Sequence, residues 1–153
     1  MIAVDTNILV YAHREDSPHH QAALAALTEL ATSRSEWAIP WPCLHEFLAV
    51  VTHARVYDPP TTPALALEAV EALVTGASPR VLAETSDHLD LLAPLLRASG
   101  VRGAKVHDAR IAAICLAHGV RELWSADRDF SYFPSLRVVN PLIRATQAGY
   151  PCA

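Results

Sequence analysis

Four acidic residues stand where a carboxylate has chemistry open to it. Asp5 ends an apolar run that begins at Ile2, so it closes a short buried strand. Glu46 lies among Cys43, Phe47, Leu48 and Val50, and a carboxylate buried unpaired in such a stretch is costly or stays protonated. Asp108 precedes the apolar helical pattern of Ile111, Ala112, Cys115 and Leu116, and Asp127 follows Leu123-Trp124. Each has a plain structural alternative. Asp5 and Asp108 could be helix caps, worth ~1 kcal/mol each. Asp127 and its neighbour Asp129 could be turn residues, and Glu46 could face water from the rim of its helix. If the four converge, they need a counter-charge: two carboxylates ~4 Å apart repel by about 4 kcal/mol at an effective dielectric of ~20. A shared proton or a divalent cation relieves this, and an all-oxygen set suits Mg²⁺ or Mn²⁺ better than zinc. Such an ion activates water and neutralises charge in an in-line phosphoryl displacement.

Convergence requires a scaffold. Residues 2–4 read as a strand, and Asp5, Thr6 and Asn7 are all N-cap types leading into a helix through His13. Ser17 reads as the cap and Pro18 as the start of a second helix, with Ala22, Ala23, Ala26, Leu27 and Leu30 helically spaced. Residues 37–39 form a strand closed by Pro40. Pro42 opens a helix carrying Leu44, Phe47, Leu48 and Val51 on one face and ending near Arg55. An alanine- and leucine-rich helix spans 63–74, and a third strand spans 80–83. Ser86 or Asp87 caps a helix that Gly100 ends. Residues 102–107 read as a loop, Asp108 as the opening of a helix stopped by Gly119, 122–124 as a strand, 125–130 as a turn and 137–139 as a last strand. The alternation predicts an α/β domain, with a parallel sheet of four to five short strands flanked by helices. Open sheets of this kind bind ligands at the carboxyl ends of their strands. If the first strand neighbours the Trp124 strand, Asp5 and Asp127 reach the same end. Asp108 falls on the opposite side of that layer or just above the site, depending on the loop. A single domain is expected over 1–143, with a tail over 144–153.

Composition narrows the classes. A chain of 153 residues that is 52% hydrophobic and 18% charged folds rather than staying disordered. It contains neither an apolar run of ~20 residues nor a signal peptide, which predicts a cytoplasmic protein without a membrane anchor. The three cysteines form no CxxC, so neither a disulfide framework nor a zinc knuckle is indicated, and Cys43 and Cys115 read as inert core thiols. The net charge of −4 does not attract nucleic acid to the molecule as a whole. Arg102, Lys105, Arg110 and Arg128 cluster along the sequence near the acids and can meet phosphate locally.

The four motifs together resemble those of PIN-domain proteins, and more narrowly the VapC-type toxin ribonucleases of bacterial toxin–antitoxin pairs. The run from Ile2 through Asp5, Thr6 and Asn7 to Tyr11 is similar to the family's first motif. Glu46 within His45-Glu46-Phe47, Asp108 before Ala109-Arg110, and Asp127 within Ser125-Ala126-Asp127-Arg128-Asp129 match the second, third and fourth acids in order. Ser125 stands where relatives often carry threonine. The resemblance implies a three-layer PIN-like fold with first and fourth strands adjacent. It also implies endonucleolytic cleavage of RNA by water activated on Mg²⁺ or Mn²⁺, a homodimer, and inhibition by a VapB-type antitoxin whose arginine or lysine enters the acidic pocket. On this reading Asp5, Asp108 and Asp127 hold the metal, and Glu46 orients water or helps hold a second ion. Asn7 and Ser125 support carboxylates or water, and Asp129 is an accessory acid. Thr6 or Asn7 caps the first helix and leaves the Asp5 carboxylate free. Arg14, Arg102, Lys105 and Arg128 grip the RNA backbone.

The rivals are a catalytically silent PIN-fold module that binds RNA or protein, and a phosphatase of small phosphate esters. A phospho-receiver domain would need a late-strand lysine, and the only lysine is Lys105, before a helix. No GxGxxG, P-loop, GxSxG or HExxH is present. His45 and His107 adjoin acids, but helix neighbours point to different faces, so surface or supporting roles are expected of them. Residues 65–74 are more apolar than one buried stripe requires. This predicts that a helix surface nearby binds a second subunit or the antitoxin.

Overall fold

The computed structural model describes residues 1–76 and 79–144. The expected tail therefore lies, but for its first residue, outside the described residues. Five strands, β1 (Ile2–Val4), β2 (Trp37–Pro40), β3 (Arg80–Leu82), β4 (Glu122–Trp124) and β5 (Val138–Val139), form one sheet in the order β3-β2-β1-β4-β5. Every pairing is parallel. Among the described residues seven α-helices flank the sheet: α1 (Thr6–His13), α2 (His20–Thr32), α3 (Trp41–Val51), α4 (Pro63–Gly76), α5 (His88–Ser99), α6 (Lys105–Ala117) and α7 (Pro141–Arg144). A 3-10 turn spans Arg128–Tyr132. The expected α/β architecture with a parallel sheet is thus present. Among the described residues no helix is long and apolar enough to cross a membrane.

The strand order creates the site. From β1 the chain moves outward through β2 to β3, then crosses back to place β4 on the other side of β1. Ligands of open parallel sheets collect at such a reversal. Ala3 pairs with Leu123 and Val4 with Trp124, so Asp5 and Ser125 leave adjacent strands side by side. β1 is buried on both faces, with Ala3 and Val4 fully covered, as apolar runs in parallel sheets are.

Three of the element boundaries that differ from expectation have a local cause. α2 begins at His20, because Ser17 Oγ accepts from the His19 N–H and makes a turn of the Ser17-Pro18 step. α3 stops at Val51, where the chain passes into tight turns through His53 and Val56. α6 begins at Lys105, so Asp108 lies within its first turn instead of capping it. The apolar periodicity starts only after Asp108, which hid the preceding residues. The break is Gly103, with φ +60°.

Gly119 ends α6 at φ +63°, with open space where a Cβ would sit. Gly119→Ala is therefore expected to cost only the backbone strain of the left-handed region, roughly 1–2 kcal/mol, readable as a lowered urea midpoint with an unchanged m-value.

Candidate active site

Asp5 is the anchor of the site. It is 4% exposed, and both of its oxygens are engaged. Oδ1 accepts from the Thr6 N–H at 2.8 Å and from the Cys43 thiol at 3.6 Å. Oδ2 accepts from Ser125 Oγ at 2.6 Å and from Asn7 Nδ2 at 2.7 Å. Asp5 is itself the N-cap of α1, so neither Thr6 nor Asn7 relieves it of that role. Burial pushes its carboxyl up to about 6, against the hydrogen bonds from Ser125 and Thr6; the charge of Glu46 adds to the rise.

Asn7 and Ser125 carry this order to the other side of the site. Ser125 Oγ also accepts from Asn7 Nδ2 at 3.0 Å and from the Asp127 N–H at 3.0 Å. Asn7 Oδ1 accepts from the Ala126 N–H at 3.0 Å. The turn after β4 is thereby clamped to α1, which fixes where Asp127 stands. Asp127 Oδ1 in turn accepts from the Asp129 N–H at 2.8 Å and caps the 3-10 turn. Asp5 and Asp127 thus fill the capping and turn roles open to them in the sequence, and the same two side chains lie among the other acids.

One oxygen from each of Asp108, Asp127 and Asp129 lies within 4.8 Å of the others. Asp108 is pushed up to about 6, first by burial and then by the charges of Asp127, Asp5, Asp129 and Glu46. Five carboxylates therefore share one neighbourhood. Glu46 is exposed rather than buried in its apolar helix, and it is held by Thr6 Oγ1, which donates to Oε2 at 2.7 Å. The first turn of α6 lifts Asp108 to the β1–β4 end of the sheet, which settles the two positions the sequence left open for it. Two lobes of one trough meet at Glu46, Asp108 and Asp127. A larger lobe of about 530 Å³ is bordered by His45, Lys105 and His107, and a smaller one of about 280 Å³ by Asp5, Tyr11 and Tyr57.

A family model of the PIN domain matches residues 2–136 of this chain. The chain is a PIN-domain protein. Ribonuclease VapC43 of Mycobacterium tuberculosis is 36% identical over 142 residues, 93% of this chain and 96% of that protein. Among solved structures, VapBC2 of Rickettsia felis, bound to a DNA fragment from its promoter, superposes with a TM-score of 0.67. It is 20% identical and covers 92% of this chain and 98% of its own. VapC20 of M. tuberculosis, described as a sarcin-ricin loop cleaving toxin, gives 0.64 at 18% identity, over 86% of this chain and 93% of its own. These two structures share the fold.

The four basic residues singled out in the sequence part company in this PIN domain. Lys105 lines the larger lobe, but its Nζ is 2.7 Å from Asp129 Oδ1 and 4.5 Å from the centre of the Tyr132 ring. Arg14 lies beyond the smaller lobe, paired with Asp16 at 2.6 Å and placed 4.2 Å over the Tyr57 ring. Arg102 and Arg128 are exposed and border neither lobe. His45 and His107 both line the larger lobe beside Glu46 and Asp108. Both are exposed, as surface roles require, and a lobe this wide is bordered by helix neighbours without their side chains sharing a face.

Cys43 was read as an inert core thiol, yet it donates to Asp5. Its thiol is pushed well up by burial and by the Asp5 charge, so it is a hydrogen-bond donor and not a nucleophile. The signal was available: Cys43 and Glu46 are three apart on one helix and share a face. Tyr57 carried no signal, since it lies between elements.

Proposed function

We propose that this PIN domain is a metal-dependent endoribonuclease, the toxin of a toxin–antitoxin pair, acting in the cytoplasm as a homodimer. The observation that carries the reading is the charge imbalance of the trough. Five carboxylates converge, and among the described residues Lys105 is the one cation bonded to any of them. The donor set fits a hard divalent ion: the gathered atoms are all carboxylate oxygens, and burial together with the neighbouring acids pushes the Asp108 carboxyl up to about 6. Asp108, Asp127 and Asp129 would hold Mg²⁺ or Mn²⁺, with Asp5 and Glu46 adjoining. Bound there, the ion supplies an activated water and neutralises phosphate charge.

The rest is the work of the chain. Asp5 keeps α1 and the β4 turn in register, and Asn7 and Ser125 hold the backbone that presents Asp127. Thr6 fixes one oxygen of Glu46, so the other can orient water toward the phosphate. Lys105 borders the larger lobe and, released from Asp129, would grip an RNA phosphate. The curated relatives are named ribonucleases, which supports RNA as substrate, and the VapBC complexes support a VapB-type antitoxin as inhibitor. Leu65 and Leu67 are 55% and 50% exposed on α4 while Ala66 and Val70 are buried. That outer face is a candidate surface for the antitoxin or the second subunit.

RNA incubated with purified protein and Mg²⁺ or Mn²⁺ is expected to yield 5′-phosphate and 3′-hydroxyl ends, and chelation of the metal is expected to abolish cleavage. End-labelling with and without prior phosphatase treatment reads the outcome. A 2′,3′-cyclic phosphate would exclude attack by water. Saturable RNA binding without metal-dependent products would favour the silent binding module, and turnover of a chromogenic phosphomonoester would favour the phosphatase.

A further inference from the structure

The acids account for a phosphate but leave the rim of the trough unused. Trp41 opens α3 with 41% of its surface exposed, whereas Trp37 and Trp124 are 5% and 4% exposed. Its ring stacks on His45, with centroids 5.7 Å apart and planes 28° from parallel. The two residues are one helical turn apart and so share a face. His45 borders the larger lobe and is followed directly by Glu46. The pair thus reaches from solvent to the acidic trough, whose border on this side is formed by Pro42, His45, Glu46 and Ala49. A flat aromatic pair beside a cleft that gathers Glu46, Asp108, Asp127 and Asp129 suits a flat ligand with a phosphate backbone. Unstacked bases of single-stranded RNA are such ligands, and aromatic rings hold them by stacking.

We propose that Trp41, supported by His45, is a stacking platform for a base of single-stranded RNA flanking the phosphate that the acids engage. The inference rests on the nuclease reading and adds the residue pair that seats a base beside the scissile phosphate. Trp41 is a positioning residue for substrate, and every base offers it a π-face, so the platform tolerates sequence variation.

The test uses full-length protein carrying Asp127→Asn, to prevent turnover, titrated with a short single-stranded RNA. Trp41 is the one exposed tryptophan of the three, so stacking is expected to quench its fluorescence saturably. An abasic sugar-phosphate oligomer of equal charge is expected to leave the fluorescence unchanged. In otherwise wild-type protein, Trp41→Ala is expected to raise KM for RNA roughly tenfold with little change in kcat, and Trp41→Phe to restore KM to within about threefold. Equal quenching by the abasic oligomer, no quenching by RNA, or an unaltered KM in Trp41→Ala overturns the platform. So does a loss of dimer mass in light scattering of Trp41→Ala, which makes Trp41 a subunit contact. Quenching without metal-dependent cleavage by wild-type protein keeps the platform and removes the nuclease reading. Cleavage with an unaltered KM does the reverse.

Discussion

Asp5→Asn is expected to lower RNA cleavage by at least ~10- to 100-fold and to gain stability relative to wild type as pH rises from about 4 to 7.5. The loss of cleavage follows from the position of Asp5 at the junction of α1, α3 and the β4 turn, where it accepts from Thr6, Cys43, Asn7 and Ser125. The stability effect has two parts. An amide in place of the carboxylate turns one acceptor into a donor. Facing Oδ1's partners it opposes the Thr6 N–H, and facing Oδ2's partners it opposes the Asn7 amide, so either orientation costs about 1–2 kcal/mol. Against this stands the charge. The Asp5 carboxyl is raised from 3.8 to about 6, so folding resists its ionisation. That penalty is absent below about pH 4, grows as pH rises, and is complete above about pH 6. At neutral pH it approaches ~3 kcal/mol for a shift of two units. The metal-free variant should thus be less stable than wild type at pH 4 and equal to it or more stable at pH 7.5. Chemical denaturation at the two pH values decides it. A constant difference between variant and wild type would mean that Asp5 does not carry the buried charge.

Asp108→Asn should have the larger effect on metal. Asp108 feels the charges of all four other acids and is one of the three whose oxygens gather within 4.8 Å. Removing it is expected to weaken Mg²⁺ or Mn²⁺ binding, and cleavage with it, on the order of 100-fold or more, above what loss of a supporting hydrogen bond costs. The pH dependence gives a second readout. With its carboxyl raised to about 6, Asp108 keeps its proton as pH falls through that value, and the proton competes with the ion. Metal affinity in the wild type should therefore rise with pH across about 5 to 7, and the rise should flatten in Asp108→Asn. Isothermal titration at several pH values measures both. An unchanged affinity and slope would place the ion elsewhere.

Local patterns in the chain carried the fold and the identity of the acids. An apolar run three residues long ending in Asp5, and a second ending before Ser125, are written in sequence. Their role as strands of a parallel sheet follows from alternation with helices. Boundaries were less legible wherever a turn or a half-exposed helical residue broke the apolar period. α6 is the clearest case: Lys105, Val106 and His107 belong to the helix although the apolar pattern begins later.

What the chain determined by itself is the set of acids, because a strand-end aspartate, a helical glutamate and two further aspartates are fixed by residue type and order. What only the tertiary structure decided is how each acid is partnered and which of them gather. Asp5, the most conspicuous acid in the sequence, has every oxygen occupied by donors from four different residues. Asp129, read as an accessory, joins Asp108 and Asp127. The division depends on contacts between residues up to 120 positions apart, and their separation is set by the crossover that puts β4 beside β1. No local periodicity encodes that geometry.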